Sequence, residues 1–168
     1  HTTDGGATWV EQTSGTTGDS FYGIEVSGWS NAWVVGDLGA LLYTSNAGQS
    51  WTQQSTNTIH TLLGISFADR DNGWAVGDAG ELIHTGNGGA LWTRMPSGVS
   101  NVLFGVHFND VANGWIVGEN GLILRTTDGG AVWLQQSSGT SSALFNIHFL
   151  DRSTGYCTGA NGAILKTT

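Results

Sequence analysis

Thr126-Thr127-Asp128-Gly129-Gly130-Ala131-Val132-Trp133 (TTDGGAVW) is one of four near-copies of a single motif. The others are TTDGGATW (Thr2 to Trp9), TSNAGQSW (Thr44 to Trp51) and TGNGGALW (Thr85 to Trp92). Their closing tryptophans fall 42, 41 and 41 residues apart. A period of about 40 residues is too short for a domain and has the spacing of a blade-type repeat.

Outward from TTDGGAVW, the unit has a regular text. Val102 to Phe108 (VLFGVHF) is rich in branched and aromatic residues and reads as a strand. Asn109 to Gly114 is a turn by composition, and Trp115 to Val117 is a second strand. Gly118-Glu119-Asn120-Gly121 turns the chain into Leu122 to Arg125, a third strand, and the hairpin at 128–130 leads into a fourth, Ala131 to Gln136. The other units repeat this with first strands FYGIEV (21–26), LLGISF (62–67) and ALFNIHF (143–149), second strands opening at Trp33, Trp74 and Tyr156, and third strands at 40–44, 81–85 and 163–167. Four short antiparallel strands per period make one propeller blade.

The expected fold is an all-β propeller of four-stranded antiparallel blades, with repeats at about 14–55, 56–96, 97–137 and 138–168 plus 1–13. The chain opens at the hairpin before a fourth strand and stops after a third, as if cut from a longer array. The N-terminal strand (Ala7 to Thr13) is therefore expected to complete the last blade and hide its edge. That closure could occur within one chain or in a two-chain, eight-bladed ring.

Composition narrows the function. Charged residues are 11% of the chain, against roughly 25% in an ordinary domain. The net charge is −8 with five Lys plus Arg, which argues against binding nucleic acid or anionic lipid. No apolar run reaches the length of a membrane-spanning helix, so no membrane insertion is expected. Cys157 is the sole cysteine, so no internal disulfide forms, and its strand setting points to a buried thiol. The scarcity of Lys and Cys favours an extracytoplasmic setting: periplasm, thylakoid lumen or secreted.

The Trp-closed motif fits the Asp-box pattern Ser/Thr-x-Asp-x-Gly-x-x-Trp of neuraminidase-type (BNR) propellers. Asp4 and Asp128 can accept backbone N–H groups of their own turn, and Asn46 and Asn87 can do the same without charge. Trp9, Trp51, Trp92 and Trp133 then pack each hairpin on its blade, a structural role. The larger text L-x-G-I-x-F-x-D-x-x-x-G-W-x-V-G-x-x-G followed by the Asp box, most closely carried by Ile65 to Phe67, Gly73 to Asp78 and Thr85 to Trp92, resembles the photosystem II assembly and stability factor-like repeat. That resemblance implies a seven-bladed, non-enzymatic lumenal chaperone that binds a reaction-centre subunit. Relatives of this repeat type also occur in bacterial secreted and surface proteins.

The expected function is a non-catalytic binding scaffold with a protein partner or a second copy as ligand, a homodimer completing the ring. No cofactor and no metal are expected. Asp37, Asp78 and Glu119 share one turn position between second and third strands and could form an acidic collar on one face. His107 and His148 share a first-strand position with Glu25 and Ser66, and two His with a Glu could ligate a transition metal, although satisfied polar residues suit the repeat better. Trp29 stands in a turn where sister units carry Asp69-Arg70-Asp71 or similar, a place for a partner-binding aromatic. Trp29 also supports a rival reading, a glycan-binding (lectin-like) propeller. An excised or engineered array that assembles rings without ligand is a third. A sialidase-like hydrolase is the weakest, since it needs a three-arginine clamp and only Arg70, Arg94, Arg125 and Arg152 are available.

Overall fold

The computed structural model describes residues 1–167; Thr168, the last residue of the expected fourth repeat, lies outside the described residues. The first blade is β1 (Phe21–Ser27), β2 (Asn31–Gly36), β3 (Leu41–Thr44) and β4 (Thr52–Gln53). The second is β5 (Leu62–Phe67), β6 (Gly73–Gly77), β7 (Leu82–Thr85) and β8 (Thr93–Arg94). The third is β9 (Leu103–Phe108), β10 (Gly114–Gly118), β11 (Ile123–Thr126) and β12 (Leu134–Gln136). The fourth is β13 (Leu144–Phe149), β14 (Gly155–Gly159) and β15 (Ile164–Thr167). Each is an antiparallel meander in chain order, so the protein is a β-propeller of four blades.

One expectation is corrected. Residues 7–13 form no strand, and the fourth blade has three strands among the described residues. The N-terminal segment instead closes on itself, His1 and Val10 exchanging backbone hydrogen bonds of 3.0 and 2.9 Å. It rests on the first blade, where Gln12 accepts a hydrogen bond from Trp51 Nε1 (3.3 Å) and donates to the Ala47 carbonyl (3.4 Å). The same pair recurs one blade on, as Trp92 Nε1 to Gln54 at 3.1 Å and Gln54 to Gly88 at 3.4 Å. Residues 7–13 thus lie where the outer strand of a blade preceding the first would lie.

Between β2 and β3, and at each equivalent place, a 3-10 turn (Asp37–Gly39, Asp78–Gly80, Glu119–Gly121, Ala160–Gly162) carries the chain outward. Gly80 shows why its last residue is glycine: φ is +72°, and a Cβ there would collide with the Val99 carbonyl. The inner strands also need a small residue. A Cβ on Gly64 would lie 2.8 Å from the Phe104 carbonyl of the next blade.

Consecutive blades meet through an aromatic pair. Trp33 of β2 stacks on Phe67 of β5 (3.9 Å between centroids), Trp74 on Phe108 (3.5 Å) and Trp115 on Phe149 (3.6 Å). Trp92 then meets Phe67 edge-on at 6.0 Å, and Trp133 meets Phe108 at 5.9 Å. Around these stacks gather Val35, Leu41, Ile65 and Ile83 at the first joint, and Val76, Leu82, Val106 and Leu124 at the second.

The Asp-box turns are held by their own side chains. In the third unit the buried Thr126 hydroxyl donates to Asp128 Oδ1 (2.8 Å) and accepts the Gly130 N–H (2.9 Å), while Asp128 Oδ1 accepts the Val132 N–H (3.0 Å). Asn87 makes the same contacts with Thr85 and Leu91, both at 2.9 Å. Thr126→Val is expected to lower stability by about 2 kcal/mol, through the orphaned buried N–H. Asp128→Asn should leave the melting temperature near that of the parent; thermal denaturation of both variants is the check.

Candidate functional site

The acidic turns serve the chain's own backbone in two of three cases. Asp37 accepts the Ser20 N–H (3.0 Å) and the Tyr22 hydroxyl (2.9 Å), bonds that hold its carboxyl below the usual range, the Ser20 N–H foremost. Glu119 accepts the Val102 N–H at 3.1 Å. Asp78 has no side-chain hydrogen bond among the described residues. Trp29 is fully exposed (100%) at the opposite end of the blade, where the Ser30 carbonyl accepts the Ala47 N–H of the blade's own Asp-box hairpin (2.9 Å). The structure therefore separates Trp29 from the acidic turns and does not form one site from all four.

The first-strand polar row is an inter-blade zipper. Ser66 Oγ accepts the Phe108 N–H of the next blade at 3.1 Å. One blade on, His107 Nε2 reaches the Phe149 carbonyl at 3.1 Å, with Asn109 Oδ1 at 2.8 Å, which places the proton on Nε2. Burial lowers the His107 pKa. The His107 and His148 rings lie 4.4 Å apart, but no group of three metal-ligating side chains occurs among the described residues. Glu25 is the member with the poorest compensation: desolvation pushes its pKa up to about 7, partly offset by a hydrogen bond from the Phe67 backbone.

Sequence reading missed Glu81. It is completely buried, with Arg94 Nη2 at 2.6 Å and His60 Nε2 at 4.0 Å, at a position where sister blades carry Ala40, Leu122 and Ala163. The signal was there: a single acid where three sisters are apolar.

A cleft of about 470 Å³ opens between the third and fourth blades. Its walls include Trp115, Phe149, Cys157 and Leu165, and its mouth holds Arg125, Arg152 and Lys166, three of the five cationic side chains. Arg125 lies 5.7 Å from the Trp115 ring centroid, and Arg152 pairs with Asp110 at 3.0 Å. Burial raises the Cys157 thiol pKa. Among the described residues, no carboxylate side chain lines the cleft.

The profile of the family described as photosynthesis system II assembly factor YCF48 matches residues 51–137 and 108–168. The chain belongs to the YCF48 family. Among solved structures, YCF48 from Cyanidioschyzon merolae superposes with a TM-score of 0.76 at 22% identity, over 96% of this chain and 52% of that one. A YCF48 solved with a D1 peptide bound gives 0.73 at 19%, over 88% and 49%. The chain thus spans about half the length of these YCF48 chains. A GH74 enzyme of Niastella koreensis gives 0.74 at 18% identity over 87% of this chain and 28% of its own, a likeness of fold alone. No curated protein sequence matches the chain. No helix among the described residues is long and apolar enough to cross a membrane.

Two substitutions test these electrostatics. Because the folded pKa of Glu25 lies above its unfolded value of 4.5, the folded chain holds a proton that the unfolded chain has lost, and stability falls as pH rises from about 4.5 to about 7. Glu25→Gln should flatten that stretch of the stability–pH curve and raise stability at pH 8 by about 1–2 kcal/mol, reduced from the full linkage value because the side chain is only half-buried. Glu81→Leu, the residue its sister blade carries as Leu122, should be neutral or stabilising, whereas Arg94→Ala should cost about 2 kcal/mol by leaving a buried carboxylate unpaired. Urea titrations read both.

Proposed function

We propose that this chain is a non-catalytic, protein-binding propeller that holds a partner polypeptide in the manner of an assembly factor. The observation that carries this reading is the family match across residues 51–168, three of the four blades, together with a relative that holds a D1 peptide. The cleft adds support, since it offers aromatic and cationic side chains to a partner. The same reading places the protein outside the cytoplasm, in a periplasm, a thylakoid lumen or the secreted fraction. It also includes self-association of two copies.

The partner surface we favour is the face bearing Asp37, Asp78 and Glu119, of which Asp78 is the member left free to meet a ligand. Titration of a fluorescent D1 peptide should show saturable, salt-sensitive binding that Asp78→Asn weakens several-fold with the melting temperature unchanged. Absence of saturable binding would count against this partner. Trp29, fully exposed in its turn, favours a second reading, a glycan-binding propeller. A glycan array signal that disappears in Trp29→Ala would promote it.

A further inference from the structure

Every blade breaks its register at the same place on its innermost strand. In β1, Phe21 pairs with Gly36 and Gly23 with Val35, so Tyr22 is left without a partner residue. Leu63 is passed over in the same way between Leu62 and Gly64, Phe104 between Leu103 and Gly105, and Phe145 between Leu144 and Asn146. Such a bulge leaves its extra residue out of the ladder and re-aims that side chain. All four bulge residues are large, three aromatic and one apolar. None of them belongs to the core clusters that fill the joints between blades.

The bulges line up from blade to blade. A Cβ on Gly23, Gly64 or Gly105 would lie 2.9, 2.8 or 2.9 Å from the carbonyl of Leu63, Phe104 or Phe145, so each bulge abuts the strand before it. The Phe104 and Phe145 rings already meet edge-on at 5.3 Å. Leu63 and Phe104 stay partly exposed although their blades have a neighbour on both sides. The row is therefore a property of the repeat and not of its ends.

The acidic turns border this row. The N–H groups of Asp37, Asp78 and Glu119 donate to the Ser20, Thr61 and Val102 carbonyls, each at 3.0 Å and each two residues before a bulge. The Tyr22 hydroxyl itself donates to Asp37 Oδ1 at 2.9 Å. Three successive blades thus set a carboxylate beside a bulge side chain. Arg94, near the second of these turns, is engaged by Glu81 at 2.6 Å. Among the described residues no ion pair reaches Asp37, Asp78 or Glu119, so their charge stays open to a partner.

An apolar strip with a carboxylate at each step calls for the opposite pattern in its ligand. A lysine or arginine satisfies the carboxylate and the face of Tyr22 or Phe104 together, and an apolar neighbour covers the remaining surface. We propose that the bulge row is the docking strip for an extended polypeptide segment in which cationic and apolar side chains are interleaved. Its apolar side chains lie on Leu63 and Phe104, and its cations meet Asp37, Asp78 and Glu119. This rests on the protein-binding reading above and names the chemistry of the partner.

Fluorescence anisotropy with a labelled peptide of alternating Arg and Leu, and with its Glu-Leu counterpart, tests it. Saturable binding of the Arg-Leu peptide alone is expected. Leu63→Ser and Phe104→Ser should each weaken it about tenfold or more. Their melting temperatures should stay near that of the parent, because neither side chain sits in a core cluster. Asp78→Asn, at the surface, should weaken binding several-fold without touching an apolar side chain. A peptide that binds both serine variants as it binds the parent is held by charge alone, which overturns the strip. Equal binding of the two peptides, or binding of neither, overturns it as well. D1 peptide binding that survives alongside such a result leaves the protein-binding propeller standing without the strip. Arg-Leu binding lost in the variants, with no D1 binding, keeps the strip and removes D1 as its partner.

Discussion

Each blade is a thin antiparallel sheet with apolar side chains on both faces, and a single repeat cannot bury them without stacked neighbours. What makes this chain fold is the stacking of a second-strand tryptophan on the first-strand phenylalanine of the following blade. The three stacks, at 3.9, 3.5 and 3.6 Å, all lie at blade joints. A buried tryptophan removes roughly 150–250 Å² from water, about 4–6 kcal/mol at 25 cal/mol per Å². Losing one stack would therefore remove energy comparable to the whole net stability of an ordinary domain.

The remaining order follows from holding those stacks in place. Asp-box turns fix the hairpins that present Trp92 and Trp133 edge-on to Phe67 and Phe108. The glutamines at 12 and 54 tie each tryptophan to the strand of the blade before. Where Met95 takes the glutamine's place, the indole N–H of Trp133 is left buried without a partner. Ser66 and His107 join neighbouring first strands through main-chain atoms of Phe108 and Phe149. Much of the chain's polar chemistry is spent on the repeat itself.

The two ends of the array differ in ways the repeat does not dictate. The first blade leaves Ile24 and Val26 open to solvent, 64% and 61% exposed. The fourth presents Tyr156, Thr158 and Lys166 at positions that hold Trp74, Val76 and His84 two blades earlier.

The repeat period, the number of blades, the strand order and the Asp-box turns could all be read from the sequence, because each depends on residues within one period. Glycines needed for turns, alternating apolar residues and a Thr-x-Asp/Asn turn act over a few positions and leave a local signature. The fate of residues 7–13, the burial of Glu81 beside Arg94, and the separation of Trp29 from Asp37, Asp78 and Glu119 could not be read that way. Those depend on how strands and blades pack, from Glu81 and Arg94 within one blade to Gln12 and Trp51 across 39 residues, and equivalent positions in a repeat look alike until packing makes one an interior and another an edge. Sequence alone determined that this is a propeller array held by stacked aromatics. Only the tertiary structure decided that residues 7–13 rest against the first blade, Gln12 meeting Trp51, and do not add a strand to the last one, because the pairing of first and last strands is a choice of partner, and local propensity does not make it.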